Sequence, residues 1–204
     1  MTVIAIVLAS IVIGWNGVSW WMSSRAEKGW VAYNEAMKAP EAQRWELLKK
    51  VYTEQGKSRA TTFAAVALAD HYFDEAKKEL AKAANANASS AGLAVEWYGK
   101  ALEFKALVFS EKQLLWVNSG KAYEIQKKYD EALKNYKTAA DLGGDLKAYA
   151  MLNEARVMEL KSDTPKAIET YEKISTDFLN TEYGKMAKNY LRRLKSPMLG
   201  SQKL

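Results

Sequence analysis

The sequence predicts an all-α protein, a single apolar N-terminal helix followed by a solenoid of antiparallel helix hairpins. Three observations carry that expectation. Residues 2–22 contain no ionisable side chain. Among 204 residues there are only 3 prolines and 11 glycines, a composition that favours helices over a turn-rich sandwich. In the second half of the chain, small and aromatic residues recur with a period of 35. Hydrophobic residues make up 49% and charged residues 26%, so the chain can bury a core and is not compositionally disordered.

The N-terminal segment comes first. As a helix, residues 2–22 span about 31 Å, close to the thickness of the hydrocarbon core of a bilayer. Trp15, Trp20 and Trp21 gather toward its far end, as an aromatic belt at a membrane–water interface does. Ser24-Arg25-Ala26 offers a cleavage-like site. A secretory signal peptide, however, has a basic leading region and a shorter apolar stretch, and this segment has neither. The expectation is a retained transmembrane anchor over residues 1–25. Arg25 and Lys28, the first cations, favour a cytoplasmic location for the chain that follows.

After the anchor the pattern is helix, short turn, helix. Trp30, Tyr33 and Met37 share one face at i, i+3 and i+7. Pro40 suits the first turn of the next helix, where its missing donor costs nothing. Leu47, Leu48, Val51 and Tyr52 form that helix's apolar face, and Gly56 and Ser58 end it and cap its successor. Ser110-Glu111-Lys112-Gln113 has the form of a capping box before an apolar run. Gly143-Gly144 is a break, and Thr164-Pro165 reads as an N-cap followed by proline at the first helical position.

The repeat is explicit. Gly120 and Ala155, Ala132 and Ala167, and Tyr136 and Tyr171 are each 35 residues apart. The first copy reads Trp116, Gly120, Tyr123, Tyr129, Ala132, Tyr136, Ala139. The second reads Met151, Ala155, Met158, Ala167, Tyr171, Ile174. A third begins with Tyr183, Ala187 and Tyr190 and then stops, as a terminal capping helix does. Upstream, Ala94, Tyr98 and Ala101 match a second helix, and Leu68, Ala69 and Tyr72 its first. The excess between them, residues 81–93, contains Asn85-Ala86-Asn87-Ala88-Ser89-Ser90 and reads as an inserted loop or helix extension. The small residues predict close helix crossings, and the aromatic ones fill the space between hairpins.

Over residues 26–195 this alternation resembles the tetratricopeptide repeat (TPR). With Gly14-Trp15, Trp20-Trp21, the stretch Trp30-Val31-Ala32-Tyr33-Asn34-Glu35-Ala36 and the stretch Ala64-Ala65-Val66-Ala67-Leu68-Ala69-Asp70, the chain also resembles a bacterial family. That family comprises membrane-anchored TPR-like proteins and includes the ancillary subunit of the Sec translocon. The resemblance implies a single-pass protein of the bacterial inner membrane with its body in the periplasm, against the local charges of Arg25 and Lys28. The organisation expected is an anchor over 1–25, a repeat domain over 26–195 and a short tail over 196–204.

Function is bounded mainly by what is missing. The absence of cysteine removes disulfides, thiolate zinc sites and cysteine nucleophiles. One histidine, His71, rules out a multi-histidine metal site, and within Ala69-Asp70-His71-Tyr72-Phe73 it reads as structural. No nucleophile elbow, phosphate loop or dinucleotide fingerprint occurs, so no enzyme, cofactor or small-molecule substrate is expected. The expected function is a non-enzymatic adapter or scaffold that binds partner proteins at a membrane complex. A permanent accessory subunit of a large membrane assembly is the alternative.

A hairpin solenoid lines its inner face with the first helix of each repeat. Counted from Gly120, Ala155 and Ala187, that face carries Asn118, Lys121, Asn153, Arg156, Lys185 and Lys188. Asparagine can hold a peptide backbone, and lysine or arginine can meet a carboxylate, so an acidic or extended polypeptide is the expected ligand. The end of the chain is basic: from Thr181 on, six cations face one acid. No nucleic-acid motif accompanies them, and a nucleic-acid partner is not expected.

Overall fold

Stop and start signals in the sequence set the helix boundaries. In the computed structural model, which describes residues 23, 24, 26–82 and 88–196, every regular element is a helix and no strand occurs among the described residues. The expected anchor over residues 1–25, with Trp15, Trp20 and Trp21, lies outside the described residues except for residues 23 and 24, as does the expected tail over 196–204 except for residue 196. Among the described residues no helix is long and apolar enough to cross a membrane. The chain divides into two units, Met1–Leu68 and Ala69–Leu204.

In the first unit, α1 (26–38) and α2 (Glu41–Glu54) precede α3 (Arg59–Lys82), which starts in this unit and ends in the second. The aromatic face of α1 meets α3: Trp30 and Tyr33 lie 5.4 and 6.3 Å from Phe63, ring centre to ring centre. Met37 departs from the expectation. It is 38% exposed, and Ala36 takes the buried position beside it. Leu48 and Val51 are the buried pair of α2. Pro40 sits one residue earlier than expected, as the cap just before α2 rather than inside its first turn. Gly56 adopts a left-handed φ of 67° after α2, and the Ser58 hydroxyl accepts from the Thr61 amide at 3.2 Å, so the stop and the cap stand as read.

The second unit holds the rest of α3, then α4 (Ser89–Leu102), α5 (Phe109–Ile125), α6 (Tyr129–Asp141), α7 (Lys147–Leu160), α8 (Thr164–Asp177) and α9 (Glu182–Lys195). From α4 to α9 each helix packs on the next, and α7 also touches α9. Of the segment read as an insertion, residues 83–87 lie outside the described residues, and the described ones are helical except Ala88. Residues 81 and 82 extend α3, residues 89–93 begin α4, and the Ser90 hydroxyl donates to Glu79 at 2.6 Å.

The two complete hairpins turn in the same way. After α5, the Lys127 amide bonds the Glu124 carbonyl and the Lys128 amide the Tyr123 carbonyl. After α7, Ser162 and Asp163 do the same to Glu159 and Met158. These are Schellman motifs, and their left-handed residues are Lys127 (φ 58°) and Ser162 (φ 63°), 35 residues apart and neither a glycine. The repeat therefore extends into the turns, where residue type hides it and backbone geometry keeps it.

Two caps differ from expectation. Helix α5 begins at Phe109, so Glu111 rather than Gln113 reaches back, accepting from the Val108 amide at 2.9 Å. Gln113 is released to the interior. It is 1% exposed, donates to the carbonyls of Ala139 at 2.9 Å and of Gly143, and ties the end of α6 to α5. A buried amide so satisfied fixes the position of the following Gly143-Gly144 break. Thr164 is already helical, so the flanking residue is Asp163, whose carboxylate pairs with Lys166 at 2.8 Å.

The core of this unit is the set of repeat positions: Ala132, Tyr136, Ala155, Ala167, Tyr171 and Ala187 are all fully buried. A Cβ on Gly120 would stand 2.8 Å from the Tyr136 ring, which is the close crossing that the repeat predicted. Tyr190 of the third copy stacks on Tyr171 at 5.0 Å, with 19° between the ring planes.

Candidate partner-binding surface

The repeating aromatic residues do more than fill space. In three successive hairpins a buried tyrosine on the second helix donates its hydroxyl to a carboxylate on the first. Tyr98 bonds Asp70 at 2.5 Å, Tyr136 bonds Glu124, and Tyr171 bonds Glu159 at 2.7 Å. Burial first, and then the acid each one bonds, push these hydroxyls above the ordinary tyrosine range.

Each of the two glutamates also receives an arginine from the next repeat. Arg156 on α7 reaches both oxygens of Glu124 at 2.5 and 2.6 Å, and Arg193 on α9 reaches Glu159. In the last two of these hairpins the staple is tyrosine, glutamate, arginine, and it ties α5 and α6 to α7 and α7 and α8 to α9. The sequence held a trace of it, since Glu124 to Tyr136 and Glu159 to Tyr171 share a spacing of 12. The arginine partners lie 32 and 34 residues away, which no helical periodicity reports.

This network redefines the expected inner face. Arg156 is engaged by Glu124 and is not a free cation. Asn153 is buried, 8% exposed, and its amide donates to the Tyr149 carbonyl one turn back at 2.8 Å, so it presents no amide to a passing polypeptide. Asn118 is half-buried and lies beside the Tyr98 hydroxyl of α4. Lys121 lies over the Tyr149 ring, its Nζ 5.1 Å from the ring centre, and Tyr149 in turn meets Tyr183 at 5.5 Å. Lys185 and Lys188 are exposed on α9 and have no acidic partner among the described residues. What the fold brings together is Lys121 with the Tyr149–Tyr183 pair.

Nothing among the described residues suggests a metal centre: no cluster of three histidine or acidic side chains lies close enough to hold an ion. His71 is half-buried on α3, with its ring 5.2 Å from that of Tyr72.

No protein-family model matches the sequence, and no curated protein does. Two crystal structures of the nearly identical TPR-like repeats assigned to a Podosopora anserina kinesin light chain, one of them a point variant, superpose on the chain with TM-scores of 0.57 and 0.56. Each match is 14% identical and covers 89% of this chain and 88% of the other. The fold is TPR-like. At this identity the likeness is one of backbone architecture.

Proposed function

We propose that the protein is a membrane-anchored TPR-like scaffold that holds an acidic, extended segment of a partner protein along α5, α7 and α9. The observation that supports this reading is the pair Lys185 and Lys188. Most cations of the neighbouring network are neutralised by carboxylates, whereas these two are exposed and have no acidic partner among the described residues. Charge-assisted hydrogen bonds to a carboxylate are worth about 1.5–3 kcal/mol each. Reversing both residues, Lys185→Glu with Lys188→Glu, is expected to weaken binding of a fluorescein-labelled decaglutamate peptide at least about tenfold. The melting temperature should stay in place, since neither lysine holds an acid among the described residues. Unchanged anisotropy titrations would remove the inner path as the binding surface. Arg156→Glu is unsuited to this test, because it would set two carboxylates against each other at Glu124.

The anchor rests on the apolar run of residues 2–22 and its terminal tryptophans, and the periplasmic side and the Sec-associated setting rest on the family resemblance. Deleting residues 2–22 is expected to leave a folded domain that partitions into the aqueous phase and keeps a helical circular dichroism spectrum. A truncated protein that is insoluble or lacks helical circular dichroism would make that segment part of the globular core instead.

A further inference from the structure

Helix α7 has two chemically different sides. Tyr149, Asn153, Arg156 and Leu160 follow one stripe, toward the inner path. Lys147, Met151, Glu154 and Met158 follow another, offset by two residues and so by about 200° around the helix. This second stripe is the floor of a cleft of about 420 Å³ walled by α6 and α8. The volume is in the range of about 300–1,000 Å³ common for ligand sites.

The charges around the cleft are unevenly satisfied. Lys137 pairs with Asp141 at 3.1 Å and Lys166 with Asp163 at 2.8 Å. Glu154 is half-buried in the floor and makes no hydrogen bond or close ion pair among the described residues; Lys137 and Lys173 act on it only from a distance. Lys147 and Lys173, at the edges, also have no acidic partner within 4 Å among the described residues. Burial, the largest influence, raises the Glu154 carboxyl above its ordinary range. A desolvated carboxylate between two methionines is a site in want of a cation. Thioether side chains adapt their shape, and they suit the aliphatic stem of a long basic residue.

We propose that the cleft between α6 and α8 takes an arginine side chain of a partner polypeptide, its guanidinium on Glu154, its stem on Met151 and Met158, and its acidic neighbours on Lys147 and Lys173. Guanidinium fits better than ammonium because its planar fork can meet both carboxylate oxygens at once and sheds water more readily. The site lies on the side of α7 away from the inner path, so it is a second contact, independent of the one proposed above.

The chain has no cysteine, which gives a direct test. Thr170 lines the same cleft from α8. In the full-length protein in detergent, Thr170→Cys provides a single thiol for reversible capture of small disulfides, read by mass spectrometry under a fixed excess of reductant. The probes are a guanidinobutyl, a butyl and a carboxybutyl disulfide, together with an Asp-Arg-Asp and a Lys-Arg-Lys tripeptide carrying the same disulfide. The guanidinobutyl probe is expected to be captured about tenfold more than the butyl probe, and that preference to vanish in Thr170→Cys/Glu154→Gln. Asp-Arg-Asp should exceed Lys-Arg-Lys, and Lys185→Glu/Lys188→Glu should change neither result. Equal capture of the guanidinium and butyl probes, preference for the carboxylate probe, or a guanidinium preference that survives Glu154→Gln would each overturn the proposal. Glu154→Gln should melt no lower than the parent, which separates lost recognition from lost folding.

Discussion

Replacing Gly120 by leucine is expected to cost about 1–3 kcal/mol of stability, the usual range for forcing bulk into a packed crossing. A Cβ alone would stand 2.8 Å from Cε1 and 3.0 Å from Cζ of Tyr136. That ring has nowhere to go: it is fully buried and its hydroxyl is held by Glu124. Relief must come from separating α5 and α6, which would also pull Glu124 away from Arg156. For a chain of this length the melting temperature should fall by about 2–4 °C per kcal/mol, measurable by circular dichroism. Alanine at the same position should give a smaller fall, since the equivalent Ala155 is accommodated one repeat later. An unchanged melting temperature for the leucine variant would show that the crossing is not as tight as the repeat implies.

Glu124→Ala is expected to be of similar or greater consequence, about 3 kcal/mol. It removes one acceptor and strands two donors, the buried Tyr136 hydroxyl and the Arg156 guanidinium. An unsatisfied buried hydroxyl alone costs about 1–3 kcal/mol. The arginine adds less than a fully buried ion would, because its side chain is 40% exposed and water can reach it, whereas Glu124 is only 12% exposed. Removing Tyr136's hydroxyl together with the acid, Glu124→Ala with Tyr136→Phe, should cost less than the two single losses added together, since residues in one network couple. Strict additivity in that double-mutant cycle, followed by urea denaturation, would show that the staple is not a unit.

These two expectations differ in how far the sequence supported them. The Gly120 crossing is legible in the sequence. Small residues at 35-residue intervals have few reasons to recur except helix contact, and the aromatic residues between them complete the pattern. The same logic located Gly56, Ser58 and the Gly143-Gly144 break, because a left-handed turn or a cap is a local requirement met by few residue types. The caps at Val108 and Asp163 were displaced by one or two residues, since the neighbouring Ser110 and Thr164 satisfy the same local preferences and the choice between them is made elsewhere. For α5 the decision rests with Gln113, which is needed inside to hold the end of α6.

The inner face shows the complementary case. Asn153 and Arg156 hold repeat positions equivalent to Asn118 and Lys121, and the sequence presents all four as polar residues on one side of a helix. Only the packed structure distinguishes them: Asn153 turns back to its own helix, Asn118 lies beside the Tyr98 hydroxyl, Lys121 settles on Tyr149, and Arg156 is taken by Glu124. The sequence by itself determined the helical class, the period, the small residues at the crossings and the absence of thiol and multi-histidine chemistry, because each is fixed by residue type or by spacing along one or two helices. The tertiary structure alone decided which charges are spent on the fold and which remain free. An ion pair between neighbouring repeats is set by the angle and offset at which two helices meet, and a residue's own sequence neighbours carry no record of either.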